Sequence, residues 1–92
     1  MKYHRTLKKQ LTKLSVREQT VLDKAIRKFD ATADKDRRAL LQPVHSNRFQ
    51  ARKARWTLRA SQKYRVLIGE EGGEYVALTF VSRGDHRYYR KE

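Results

Sequence analysis

The first half of the chain has helical spacing. In "YHRTLKKQLTKL" the apolar positions Leu7, Leu11 and Leu14 fall at i, i+4 and i+7, one face of a helix, with lysines filling the other. "SVRE" then places Glu18 three residues after Ser15, a capping-box signature for a new helix start. Behind it Leu22, Ala25, Ile26 and Phe29 repeat the helical period. Two helices this close in sequence predict an αα-hairpin over about residues 3–29. "DATADKD" breaks the pattern, and "RRALL" has room for a helical turn before Pro43 ends it. Residues 43–53 read as loop, with a basic cluster, "NRFQARKAR", that has no clear period.

The second half changes to period two. Trp56, Leu58 and Ala60 alternate with Thr57 and Arg59, and Tyr64, Val66 and Ile68 lie opposite Arg65 and Leu67. "EEGGE" reads as a turn and "YVALTFVSR" as the last strand, so the sheet is expected over about 54–83. A turn at "SQK" sets Ala60 against Tyr64, Leu58 against Val66 and Trp56 against Ile68. The second turn is expected to set Val66 against Leu78 and Tyr64 against Phe80. One face is then apolar, with Trp56, Val66, Val76, Leu78 and Phe80 on it. The other carries Thr57, Arg59, Arg65, Leu67, Ala77, Thr79 and Val81. The order of elements predicts an α+β fold, with the helical hairpin packed on one face of a small antiparallel sheet.

Composition adds a partner class rather than a fold. The 92 residues suffice for one small domain, expected to span 1–92. Against 10 Asp+Glu stand 23 Lys+Arg, a formal net charge of +13, which points to nucleic acid, an anionic membrane or an acidic protein. Without cysteine there is no disulfide framework and no thiolate metal site. No apolar run approaches a membrane span and no signal-peptide core follows the basic start, so a cytoplasmic protein without a membrane partner is expected.

Charge matters most where the sheet register brings it together. Arg59 falls opposite Arg65, and Arg83 joins the same face if the last strand stays regular. Like charges facing each other destabilise a sheet. Convergent guanidiniums have planar forks suited to phosphate, so the trio reads as an anion site. The plainer alternative is that each arginine is solvated or paired with Glu70 or Glu74. Gly84 lets the chain turn after Arg83 and releases a tail over 84–92. In that tail His86 could serve as an acid or base near neutral pH, or be merely exposed. Tyr88 and Tyr89 point to opposite sides in extended chain, so one can pack while the other stacks on a base. Around this set Arg52, Lys53, Arg55, Lys63, Arg87 and Tyr88 are candidates for RNA contact.

The stretches "KQLTKL", "LDKAIRKF" and "WTLRASQKYRVLIGEEGGEYVALTFVSRGDHRYY" resemble the RelE/ParE superfamily of bacterial toxins, over nearly the whole chain. The resemblance implies a curved RelE-like sheet that carries the site, with or without the family's opening strand, since "MKYHR" is short for one. It implies a toxin of a toxin–antitoxin pair, monomeric alone and neutralised by an acidic antitoxin. In the ribonuclease branch such a toxin cleaves messenger RNA on the ribosome without metal or other cofactor. By this likeness Arg59 and Arg65 flank the tight turn as the family's arginines do. "GDHRYY" aligns either through Gly-x-His, which gives the chemistry to His86, or through its last aromatic, which gives it to Tyr89. The chain departs from the family at Arg55 and Thr57, where lysines are usual, and at Arg87 and Tyr88, where an acidic and an aliphatic residue are usual.

Three functions therefore compete: a ribosome-dependent endoribonuclease, with Arg59, Arg65, Arg83, His86 and Tyr89 as its catalytic set; a non-catalytic toxin of the same fold, like the gyrase-inhibiting branch; and a basic RNA- or ribosome-binding module. No carboxylate pair, metal-ligand cluster, nucleophile elbow or P-loop supports another hydrolase.

Overall fold

The computed structural model describes residues 1–44 and 53–82. The chain opens with β1 (Lys2–Tyr3), then α1 (Arg5–Leu11), α2 (Val16–Ala31), the short α3 (Asp34–Arg37) and a 3-10 turn (Arg38–Leu40). Four strands follow: β2 (Leu41–Pro43), β3 (Trp56–Arg59), β4 (Tyr64–Glu71) and β5 (Glu74–Ser82). They form one sheet in the order β1-β5-β4-β3-β2. The fold is thus α+β, with N-terminal helices on one face of the sheet. No helix among the described residues is long and apolar enough to cross a membrane.

Local chemistry explains the helix boundaries. Ser15 and Glu18 close the full capping box at the start of α2, each side chain bonding the other's backbone N–H. The apolar stripe buries Leu7 of α1 and Leu22, Ile26 and Phe29 of α2 against Leu58, Tyr64, Val66, Ile68 and Ala77 of the sheet. Phe29 is 1% exposed, so truncating it to alanine would cost about 3–5 kcal/mol. α2 runs to Ala31, two residues past the expected end at Phe29, and Thr32 in extended conformation ends it.

The sheet differs from expectation in three ways. It is mixed rather than antiparallel, because β1 pairs in parallel with β5 (Lys2 with Val76, Tyr3 with Ala77). Residues 41–43, read as helical turn and loop, form the edge strand β2, with Leu41 against Leu58 and Pro43 against Trp56. Proline is tolerated there because an edge strand need not donate from every N–H. The third difference lies in β5. The β3–β4 register is as expected, from Trp56 against Ile68 to Arg59 against Arg65. The β4–β5 register is not: Val66 faces Phe80 and Tyr64 faces Ser82.

Two separate one-residue shifts produce that change. The turn uses only Gly72 and Gly73, at φ +57° and +83°, which closes Glu71 directly on Glu74 in a tight hairpin. A bulge between Leu67 and Ile68 then adds the second shift. Before the bulge one shift flips the faces, so Ala77 joins the helix-side core and Leu78 leaves it. Beyond the bulge the two shifts restore the faces, and Phe80 stays with Tyr64 as expected, their rings edge-on at 5.4 Å. Trp56 is half-buried at the margin of the core, edge-on to Tyr75 at 5.4 Å and capped by the Arg38 guanidinium at 4.8 Å.

α1 also closes the sheet edge that β1 is too short to cover. After His4 N–H donates to Ala77 C=O (2.9 Å), the Gln10 amide takes over. Its Oε1 accepts from the Phe80 N–H (3.1 Å) and the Thr79 hydroxyl (2.5 Å), and its Nε2 donates to Phe80 C=O (3.4 Å). A side-chain amide thus stands in for one rung of a strand.

Candidate nucleic-acid interface

Arg59 ends β3 and Arg65 is the second residue of β4, so the short connection over 60–63 sets them directly opposite each other. Arg59 is exposed and its side chain has no hydrogen bond or ion pair among the described residues. Arg65 is half-buried and held: its Nη1 donates to the carbonyls of Ser61 (2.8 Å) and Tyr64 (3.3 Å) in the turn beside it. Ser61 pins the turn in return, its Oγ accepting from the backbone N–H of Lys63 and of Tyr64, each at 3.1 Å. One edge of the Arg65 guanidinium is therefore spent on fixing its direction. Its Nε and Nη2 have no acceptor among the described residues.

The sheet face beyond this pair is covered rather than open. Leu67 is fully buried, and with Val81, Ala54, Val44 and half-buried Leu78 it makes a second small core on the arginine side. Gly69 permits the approach of residue 53 to this face, since a Cβ there would sit 2.9 Å from the Lys53 carbonyl oxygen and 3.0 Å from Leu78 Cδ1. The chain makes the crossing with Lys53 in the left-handed region at φ +66°. Arg65 has Arg59 as its β3 partner and Val81 as its β5 partner, so the guanidinium pair borders this apolar patch.

The other basic candidates divide. Lys53 is exposed. Arg55 forms an ion pair with Glu70 at 3.4 Å, which spends its charge within the molecule. Lys63 sits 3.8 Å from Glu18 and 5.2 Å from the Tyr64 ring centroid, drawn toward the N-terminus of α2. Arg52, Arg83, His86, Arg87, Tyr88 and Tyr89 lie outside the described residues, as does Gly84.

Beneath the turn is a contact that sequence reasoning missed. The Tyr64 hydroxyl donates to the Glu18 carboxylate, joining the capping box of α2 to the start of β4. That bond, with help from Ser15, holds the Glu18 carboxyl below its ordinary pKa, while burial and then the Glu18 bond push the Tyr64 phenol up. Residues 46 apart in sequence leave no local signal of such a bond; only the Ser15–Glu18 spacing was visible. A similar bond joins Tyr3 to Asp23 at 2.8 Å, and burial together with it pushes the Tyr3 phenol up to about 12.

Among the described residues no cluster of three or more His, Cys, Asp or Glu side chains could hold a metal ion. What the hairpin brings together is a pair of guanidiniums, Arg65 held by its own turn and Arg59 without a side-chain partner among the described residues. No protein-family model, no curated protein and no solved structure matches the chain.

Proposed function

We propose that the chain binds RNA through the Arg59–Arg65 face and acts as a RelE/ParE-type toxin, an endoribonuclease that cuts messenger RNA on the ribosome. The observation that carries this reading is the cross-strand arginine pair, with Arg59 unpaired among the described residues and Arg65 braced by its own turn. A fold that needed only stability would not set two cations face to face. RNA supplies its own nucleophile, the 2′-OH. As its proton leaves, a bond forms from O2′ to phosphorus, the bond to O5′ breaks, and O5′ takes a proton. The pentacoordinate phosphate carries extra negative charge, and preorganised donors aimed at it supply a large share of such catalysis. Arg59 and Arg65 fit that role. Arg83 would join them, and His86 or Tyr89 would move the protons. The cytoplasm and an acidic antitoxin belong to the same proposal.

The test is purified protein added to a translating extract, with messenger RNA ends mapped. Cuts within codons that are lost in Arg65→Ala support the proposal. A second reading, an RNA-binding module without chemistry, draws on the static bracing of Arg65, which suits simple phosphate binding. RNA binding without cuts would select it over the first.

A further inference from the structure

The connection over 60–63 is pinned from both sides of the sheet. Tyr64 and Arg65 are neighbours on β4, so their side chains leave it on opposite faces. On the helix side the Tyr64 ring is buried in the main core and its hydroxyl is tied to Glu18. On the other side Arg65 Nη1 is tied to the Ser61 carbonyl at 2.8 Å and the Tyr64 carbonyl at 3.3 Å. Between the two stands the Ser61 hydroxyl, whose Oγ accepts from the N–H groups of Lys63 and Tyr64.

Chain reversal alone does not call for that hydroxyl. Backbone bonds already close the turn, with the N–H groups of Ala60 and Ser61 donating to the Tyr64 carbonyl at 3.1 and 3.3 Å. The Lys63 N–H is exposed, where water can serve it. What the hydroxyl adds is direction. By tying the Lys63 and Tyr64 peptide groups back to Ser61, it fixes where the two carbonyls that hold Arg65 stand. A guanidinium held at one nitrogen keeps its plane, and a planar fork grips a phosphate best within that plane.

We infer that Ser61 is a positioning residue for Arg65: its hydroxyl fixes the turn carbonyls that aim the guanidinium, with the Tyr64–Glu18 bond as the footing on the far face. The consequence for cleavage rests on the proposed function; the aiming does not. The pair then divides its work. Arg59, whose side chain has no brace among the described residues, supplies attraction, and Arg65 supplies alignment. Loss of the brace therefore shows in the step that needs alignment rather than in the capture of RNA.

The experiment compares Ser61→Ala, which removes the hydroxyl and keeps the carbonyl, with Ser61→Asn, whose side-chain oxygen bonds the backbone N–H two residues on and rebuilds the turn. Nitrogen NMR spectra of the guanidinium groups, with Arg65 assigned through Arg65→Lys, read the aiming without RNA. Wild type and Ser61→Asn are expected to show a slowly rotating Arg65 guanidinium, and Ser61→Ala one averaged by rotation. Tyr64→Phe, which removes the footing and keeps the ring, is expected to show the same averaging in weaker form. Messenger RNA cleavage in a translating extract is expected to fall about ten- to a hundredfold in Ser61→Ala at unchanged apparent affinity, and to return in Ser61→Asn. Melting temperatures are read alongside; should Ser61→Ala unfold, Tyr64→Phe decides in its place. An Arg65 signal equally restricted in Ser61→Ala, failure of Ser61→Asn to restore it, or a fall in affinity equal to the fall in rate would overturn the positioning. If the wild type neither binds nor cuts RNA, the proposed function fails, and the nitrogen spectra still decide whether Ser61 aims Arg65.

Discussion

Arg59 and Arg65 each act on two accounts, and substitution separates them. Facing like charges cost a sheet roughly 0.2–1 kcal/mol, so Arg59→Thr should leave the fold as stable as before or more so. Affinity for RNA should fall in the same variant. Chemical denaturation and RNA titration on one preparation read both, and a loss of stability without a loss of affinity would make Arg59 structural. Arg65 differs because its Nη1 is committed to the Ser61 carbonyl. Arg65→Ala should cost roughly 10²–10³ in cleavage rate, by analogy with removing one oxyanion donor. Arg65→Lys keeps the charge but cannot brace against the turn and grip a phosphate with a planar fork at once. It should recover little of the rate. Recovery to near wild type would show that charge alone, not the fixed fork, does the work.

At the scale of elements, the N-terminal helices are bound to the sheet by polar bonds as well as by their apolar stripe. Gln10→Leu leaves the Phe80 N–H and the Thr79 hydroxyl without their acceptor, at a cost of about 1–3 kcal/mol in denaturation. The Tyr64–Glu18 bond gives a pH signature. Glu18 has a lowered pKa, so its contribution is complete above the ordinary value of 4.5 and fades as pH falls toward the folded value. Tyr64 has a raised pKa, so its contribution is complete below 10.0 and fades as pH rises beyond it. The melting-temperature gap between wild type and Tyr64→Phe should therefore be widest between those limits and narrow on both sides. A gap that is flat across pH would place the stabilisation in packing instead. These elements also show what sequence could reveal. The β3–β4 register was legible because strict alternation over a short connection admits one apolar face. The β5 register was not, because the Gly72–Gly73 turn and the bulge each slip the strand by one residue, and neither slip changes the local pattern. β2 was hidden by Pro43 and its short length. β1 was open in the sequence because a two-residue strand is made by its long-range partner, not by its own propensity. Of the candidate site, the arginine pair could be read from the strand pattern. The Ser61 brace could not, since it depends on where a side chain folds back.

For the whole molecule, a net charge of +13 would attract RNA to almost any face, so affinity alone cannot say which surface binds. The salt dependence of affinity can. Each phosphate neutralised on single-stranded RNA releases counterions and steepens the fall of log K with log salt by about 0.7. If RNA lies across the arginine face, Arg59→Ala should weaken binding and reduce that slope by about one such step. The exposed lysines of α1, Lys8 and Lys9, provide the contrast, because they belong to the helical layer on the other face of the sheet. They carry the same charge and no ion pair among the described residues. Lys9→Ala should therefore leave the slope unchanged and lower the affinity only slightly, through the general field. Titrations of one labelled oligonucleotide at several salt concentrations, run on wild type and both variants, give the three slopes directly. Equal reductions in the two variants would mean that RNA is held by diffuse charge, and the arginine pair would lose its claim to be the interface. A reduction confined to Lys9→Ala would move the interface to the helical face.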